Sequence, residues 1–151
     1  GSPREIVENV MAQAPKGAFV GYECGNDDVT PKPDPAPYWR AASMVGLPAD
    51  ASGAGQCLVF EDSKPGLTAA RASGATVVAV TGHARVDMSD SGLCDEAIVD
   101  YRGLAIADLA GVATVSWVVP SYSHVFGLRA TRSDSRNFIL RCESGICVSR
   151  G

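Results

Sequence analysis

Glu61 and Asp62 follow directly on the apolar run Cys57-Leu58-Val59-Phe60, which puts two adjacent carboxylates at the end of a short candidate strand. Side by side, two carboxylates repel each other unless a cation lies between them, and hard oxygen donors of this kind suit magnesium. The same residues have a structural alternative, because Asp62 or Ser63 can cap a helix entered at Pro65. Lys32 lies in Thr30-Pro31-Lys32-Pro33-Asp34-Pro35, held between two prolines. An ammonium fixed in a rigid loop could neutralise a phosphate, whereas an isolated lysine is commonly a solvated surface residue.

Elements that alternate in type surround these residues. Ile6, Val7, Val10, Met11 and Ala14 recur at helical spacing over 4–14, with Ser2 as cap and Pro3 as a first-turn proline. Residues 19–22 read as a brief strand, and a polar, proline-rich loop carries Lys32 into a helix over about 37–45, stopped by Gly46. A Gly/Ser/Ala-rich connector over 49–55 leads to the strand 57–60, a helix over 65–73 closed by Gly74, the strand 75–80 and a last short strand at 96–99. Strands apolar on both faces that alternate with helices imply a parallel sheet covered on both sides, an α/β architecture. In such a sheet, ligands bind outside the carboxyl ends of the strands, where Glu61 and Asp62 fall. From about Ala110 the pattern changes: 112–119 and 138–147 read as strands, the latter as a hairpin turning at Glu143-Ser144-Gly145, and the segment between them lacks periodicity. The expected division is therefore 1–110 as one unit and 111–151 as a tail with no assigned role.

The chain has 151 residues, 46% of them apolar and 20% charged, which suits one soluble globular domain. Its formal charge of −4 arises from scattered residues with no lysine or arginine run, so nucleic acid is not an expected partner. No apolar stretch approaches the ~20 residues of a spanning helix, which argues against a membrane partner. Five cysteines, Cys24, Cys57, Cys94, Cys142 and Cys147, argue against a disulfide framework and for a reducing, cytoplasmic compartment. Cys142 and Cys147 lack the second pair or histidines that a zinc site needs, and Cys57 reads as a buried small hydrophobe.

Two segments together resemble the haloacid-dehalogenase-like phosphatases. KPDPAPYWRAASMVGLP is similar to that family's third motif, a Lys-Pro-x-Pro lysine before a helix. CLVFEDSKPGLTAARASGATVVAV is similar to the fourth, a strand ending in Glu-Asp-Ser followed by a glycine-containing helix and the next strand. The order and separation fit, and the likeness covers roughly 1–108. It implies a partial three-layer Rossmann-like core without a cap domain, with Lys32 as the catalytic, phosphate-binding lysine and Glu61 and Asp62 as magnesium ligands. Asp27 or Asp28 would orient Lys32, or else only shape an acidic turn.

The sequence departs from the family in two ways. Pro31 stands where a glycine commonly precedes the lysine, and no Asp-x-Asp, the source of nucleophile and general acid, occurs near the N-terminus. Gly1-Ser2-Pro3-Arg4 resembles the residues directly after the second-motif Ser/Thr, so the first strand, the cap and that Ser/Thr are expected upstream. The resemblance implies a magnesium-dependent phosphomonoester hydrolase acting on a sugar or polyol phosphate through an aspartyl-phosphate, in a subgroup that also holds β-phosphoglucomutase-like enzymes. The rival reading is a non-catalytic truncated fragment or interaction module, favoured by the unmatched tail. A nucleotide-binding or receiver-like sheet is disfavoured because no Gly-rich loop follows a strand. Among other residues, His83, His124, Trp39 and Trp117 read as surface or packing residues, and Ser63 as a helix cap more than a phosphate contact.

Overall fold

The computed structural model describes residues 2–16, 19–82, 92–102 and 104, together with the backbone of four strands between 105 and 142. Its elements up to residue 98 are α1 (Arg4–Gln13), α2 (Ala36–Met44), α3 (Ala51–Ala54), β1 (Leu58–Glu61), α4 (Lys64–Ser73), β2 (Thr76–Val80) and β3 (Glu96–Ile98). The three strands form a parallel sheet in the order β1-β2-β3, flanked by helices. The fold is therefore α/β, compatible with part of a Rossmann-like core, as the alternating pattern implies.

The sheet and α4 make the core. Leu58 pairs with Thr76 and Glu61 with Ala79, so the carboxyl ends of β1 and β2 lie level. In β2, Val77, Val78, Ala79 and Val80 are all buried, the burial on both faces that a covered parallel strand requires. Helix α4 lays Leu67, Ala69 and Ala70, none of them accessible, onto this sheet. Burying one leucine side chain contributes about 1.5–3 kcal/mol. The helix starts at Ser63, whose Oγ accepts from the Gly66 N–H at 3.2 Å, and ends at Gly74 in the left-handed region (φ 89°), where a side chain would be strained.

Several sequence expectations change. Residues 19–22 form no strand: no strand among the described residues pairs with them, and Phe19 and Val20 stand 54% and 60% exposed. An apolar run needs a hydrogen-bonding partner, not only β propensity, to become a strand. The connector at 49–55 contains α3, nucleated by Asp50, whose carboxylate accepts from Ser52 N and Gly53 N. Ser2 does not cap α1; the N-cap residue is Pro3, with no side-chain cap bond, and the Ser2 carbonyl accepts instead from Gly25 N at 2.8 Å.

Four further strands, β4 (Ala105–Leu109), β5 (Val112–Val119), β6 (Tyr122–Arg132) and β7 (Phe138–Cys142), form an antiparallel sheet in chain order. The unperiodic stretch between the two expected tail strands thus supplies β6, which pairs with both of them. The expected hairpin turn at 143–145 lies outside the described residues. No helix among the described residues is long and apolar enough to cross a membrane.

Candidate functional site

The proline-rich loop and helix α2 bring Lys32 back to the sheet. Asp34 Oδ1 accepts from Ala36 N at 2.8 Å and fixes the turn into α2, whose first turn contains Pro37 and Tyr38. Trp39 Nε1 donates to the Ser73 carbonyl at 3.2 Å and ties α2 to α4, the packing role expected of it. The consequence is that Lys32 Nζ and Glu61 Oε1, 29 residues apart in sequence, form an ion pair at the carboxyl end of β1.

Glu61 is held on every side. Tyr38 Oη donates to the same Oε1 and also reaches the Gly66 carbonyl at 3.4 Å, while Ser63 Oγ donates to Oε2 at 3.3 Å. The carboxylate lies against the first turn of α4 so closely that a Cβ at Gly66 would fall 2.0 Å from Oε2. Its side chain is 10% exposed, against 31% for Lys32. Burial pushes the Glu61 carboxyl up, but the bonds from Lys32 and Tyr38, with the lysine charge, outweigh it and hold the group below its usual value. The Tyr38 phenol is driven far upward, first by burial and then by its bond to Glu61 and the Glu61 and Asp62 charges, so it stays a donor.

Asp62 is different. It is exposed, and among the described residues no hydrogen bond or ion pair occupies its carboxylate. With Phe60, Glu61, Val80 and Tyr101 it lines a hollow of about 260 Å³ at the carboxyl ends of β1 and β2. Tyr101 is placed there by an edge-on contact with Phe60, ring centroids 5.5 Å apart. A second hollow of about 390 Å³ has Lys32, Tyr38, Glu23 and Cys24 in its wall. Glu23 Oε2 is buried there without a hydrogen bond, 3.9 Å from Arg40 Nε, and burial raises its carboxyl although Arg40 opposes the shift.

Neither acid before the lysine loop orients Lys32. Asp27 accepts from Cys24 N at 2.9 Å and pairs with Arg4, which makes it the closing group of its own turn, and Asp28 has no bond to Lys32. That backbone bond, with the Arg4 charge, holds the Asp27 carboxyl low. Ser63 caps α4, the favoured of its two expected roles, and also donates to Glu61. Cys57 is half-buried rather than buried, and no disulfide joins Cys24, Cys57 and Cys94. His83 and Cys147 lie outside the described residues, as do the side chains of Trp117, His124 and Cys142. Sequence reasoning misses two functional candidates, Tyr38 and Glu23. Tyr38 carries a readable signal, since a tyrosine on the inward face of a helix must find a partner for its hydroxyl.

Magnesium typically takes one or two carboxylates and fills its remaining positions with water and phosphate oxygens. Asp62 fits as one such ligand. Glu61 Oε1 is already occupied twice, and among the described residues no group of three or more His, Cys, Asp or Glu side chains could hold a metal. Of the pair, only Asp62 offers an open carboxylate.

Over 97 residues, 64% of the chain, the sequence is 38% identical to Protein CbbY of Rhodobacter capsulatus. The chain spans 36% of the length of that relative. No family model matches the chain, and no solved structure does.

Proposed function

We propose that the chain carries the phosphate-binding and metal-binding half of a magnesium-dependent phosphomonoester hydrolase of the haloacid-dehalogenase-like superfamily, acting on a small phosphorylated metabolite such as a sugar or glycerol phosphate. The observation that carries this reading is the meeting of Lys32 with Glu61 beside the open carboxylate of Asp62, at the carboxyl end of a parallel sheet. In this reading Lys32 offsets the charge of a phosphoryl group, Glu61 anchors Lys32, and Asp62 is the magnesium ligand. A bound magnesium would supply further neutralisation of phosphate charge. The motif resemblance supports the reading, and the likeness to Protein CbbY supports it at the level of the superfamily and no finer. The reaction would run through an aspartyl-phosphate, and its nucleophile is not in this chain, since no Asp-x-Asp occurs in the 151 residues. Three cysteines without disulfides suit a reducing, cytoplasmic setting.

The test is isothermal titration calorimetry of magnesium into the chain with inorganic phosphate present, repeated with Asp62→Ala and Lys32→Ala. Magnesium binding lost in the first variant and phosphate binding lost in the second is the expected pattern. Wild-type protein that binds neither ion would sink the reading. It would favour the second one, a non-catalytic fragment or interaction module, for which the missing Asp-x-Asp is the specific observation.

A further inference from the structure

Resting on that reading, we propose that Tyr38 is the positioning residue of the Lys32–Glu61 pair: its hydroxyl and its ring hold the ammonium and the carboxylate together, which keeps Glu61 on Lys32 and leaves the metal to Asp62.

Tyr38 touches both partners at once. Its hydroxyl donates to Glu61 Oε1, the oxygen that Lys32 also uses, and its ring centroid is 5.0 Å from Lys32 Nζ. An ammonium within about 6 Å of an aromatic face is attracted to it. Holding the flexible four-carbon stem of a lysine on one oxygen costs side-chain freedom, a loss that the ring's attraction helps to offset. The tyrosine is itself fixed. Its backbone N–H donates to the Pro35 carbonyl at 3.0 Å in the first turn of α2, and its ring packs against the buried cluster of Leu67, Ala70, Val77 and Ala79. That cluster belongs to α4 and β2, so the ring that faces the ammonium is anchored in the core.

The hydroxyl also determines what Glu61 is able to do. Among the described residues Oε1 accepts from Lys32 and from Tyr38, and Oε2 accepts from Ser63. A carboxylate so occupied is a poor metal ligand, whereas its neighbour Asp62 is open. With phenylalanine at position 38 the ring and the packing would remain, but one bond to Oε1 would be gone.

The experiment compares wild type, Tyr38→Phe and, as a control, Tyr22→Phe, whose hydroxyl meets the exposed Glu8 at 3.4 Å. The mobility of the Lys32 ammonium is followed at fixed pH by nitrogen NMR, through the exchange of its Nζ protons with water, and inorganic phosphate affinity is measured with magnesium present. Tyr38→Phe should speed that exchange, because the ring is no longer anchored by its hydroxyl on Glu61 Oε1, and should weaken phosphate binding by roughly threefold to tenfold. Tyr22→Phe should do neither. A Tyr38→Phe protein that melts lower yet exchanges and binds as wild type would reduce Tyr38 to packing and overturn the proposal. If the wild type binds no phosphate, the hydrolase reading fails. The ammonium exchange then still decides the positioning role: faster exchange in Tyr38→Phe upholds it and unchanged exchange overturns it. Should Tyr38→Phe not fold, wild type labelled with 3-fluorotyrosine serves instead. A Tyr38 fluorine signal that shifts when Lys32→Met removes the ammonium supports the role, and one indifferent to it overturns it.

Discussion

Helices α1 and α4 are both ten residues long and both amphipathic in sequence, yet they end in opposite situations. Helix α4 buries Gly66, Leu67, Ala69, Ala70 and Ser73 against β1 and β2, has a serine cap at its start and a left-handed glycine after its end. Helix α1 buries no residue, lacks a side-chain cap, and leaves Ile6 and Val10 more than half exposed. Periodicity tells which face of a helix is apolar; it does not tell whether anything covers that face. The candidate site hangs on the covered helix, since Gly66 and Ser63 of the α4 start are what Glu61 rests against.

If that contrast is physical, the largest effect should come from the covered side. Leu67→Ala removes a side chain with no accessible surface and should destabilise the protein by about 3 kcal/mol in urea denaturation, within the usual range for buried leucines. Glu61→Ala should come next at about 2 kcal/mol, because it leaves a partly buried Lys32 without its acceptor and the Tyr38 hydroxyl with only the Gly66 carbonyl at 3.4 Å, while solvent at Lys32 softens the loss. Its loss of phosphate binding should exceed its loss of stability. A variant that binds phosphate as wild type would separate Lys32 from Glu61 and break the link between α4 and the site.

A smaller effect should appear as pH dependence, with two carboxyls pulling in opposite directions. The folded-state value of Glu61 lies below its ordinary 4.5, so its stabilisation is present above that ordinary value and disappears as pH falls through the folded one. Glu23 is raised from the same 4.5, chiefly by burial, so its contribution is present below 4.5 and disappears as pH rises through its folded value. Denaturation between about pH 3 and pH 7 should therefore show a shallower acid limb for Glu61→Gln and a gain toward neutral pH for Glu23→Gln. Equal slopes in both variants would mean that the two environments do not differ.

How far the sequence discloses all this depends on which force shapes each part. The strands at 58–61 and 76–80 and helix α4 are legible because each strand carries an unbroken apolar run, buried on both faces in 77–80, and Gly74 ends the helix with backbone chemistry of its own. Helix α3 has only four residues, too few for a period, and its one signal was the cap at Asp50. Residues 19–22 read as a strand because pairing, unlike apolarity, is not written locally. Within the site, Lys32 and the acidic pair were legible as residue types. The separate fates of Glu61 and Asp62 were not, because they depend on α2 docking on α4 so that Tyr38 and the preceding loop's Lys32 both meet Glu61. Neighbouring residues at a strand end project to opposite sides, so a division of labour between them was foreseeable, but not which one would pair with the lysine.

The smallest expected effect belongs to α1 and tests the other half of the contrast. Ile6→Ala and Val10→Ala each remove apolar atoms that are 56% and 57% exposed, respectively, at the residue level, so little burial is lost. Alanine is also the better helix former than either β-branched residue, by a few tenths of a kcal/mol. The two terms nearly cancel, and each variant should lie within about 0.5 kcal/mol of wild type. Should Val10→Ala instead cost about 1.5 kcal/mol or more, its side chain must be packed against something in solution. The face of α1 would then be covered as that of α4 is, and the two helices would differ only in what covers them.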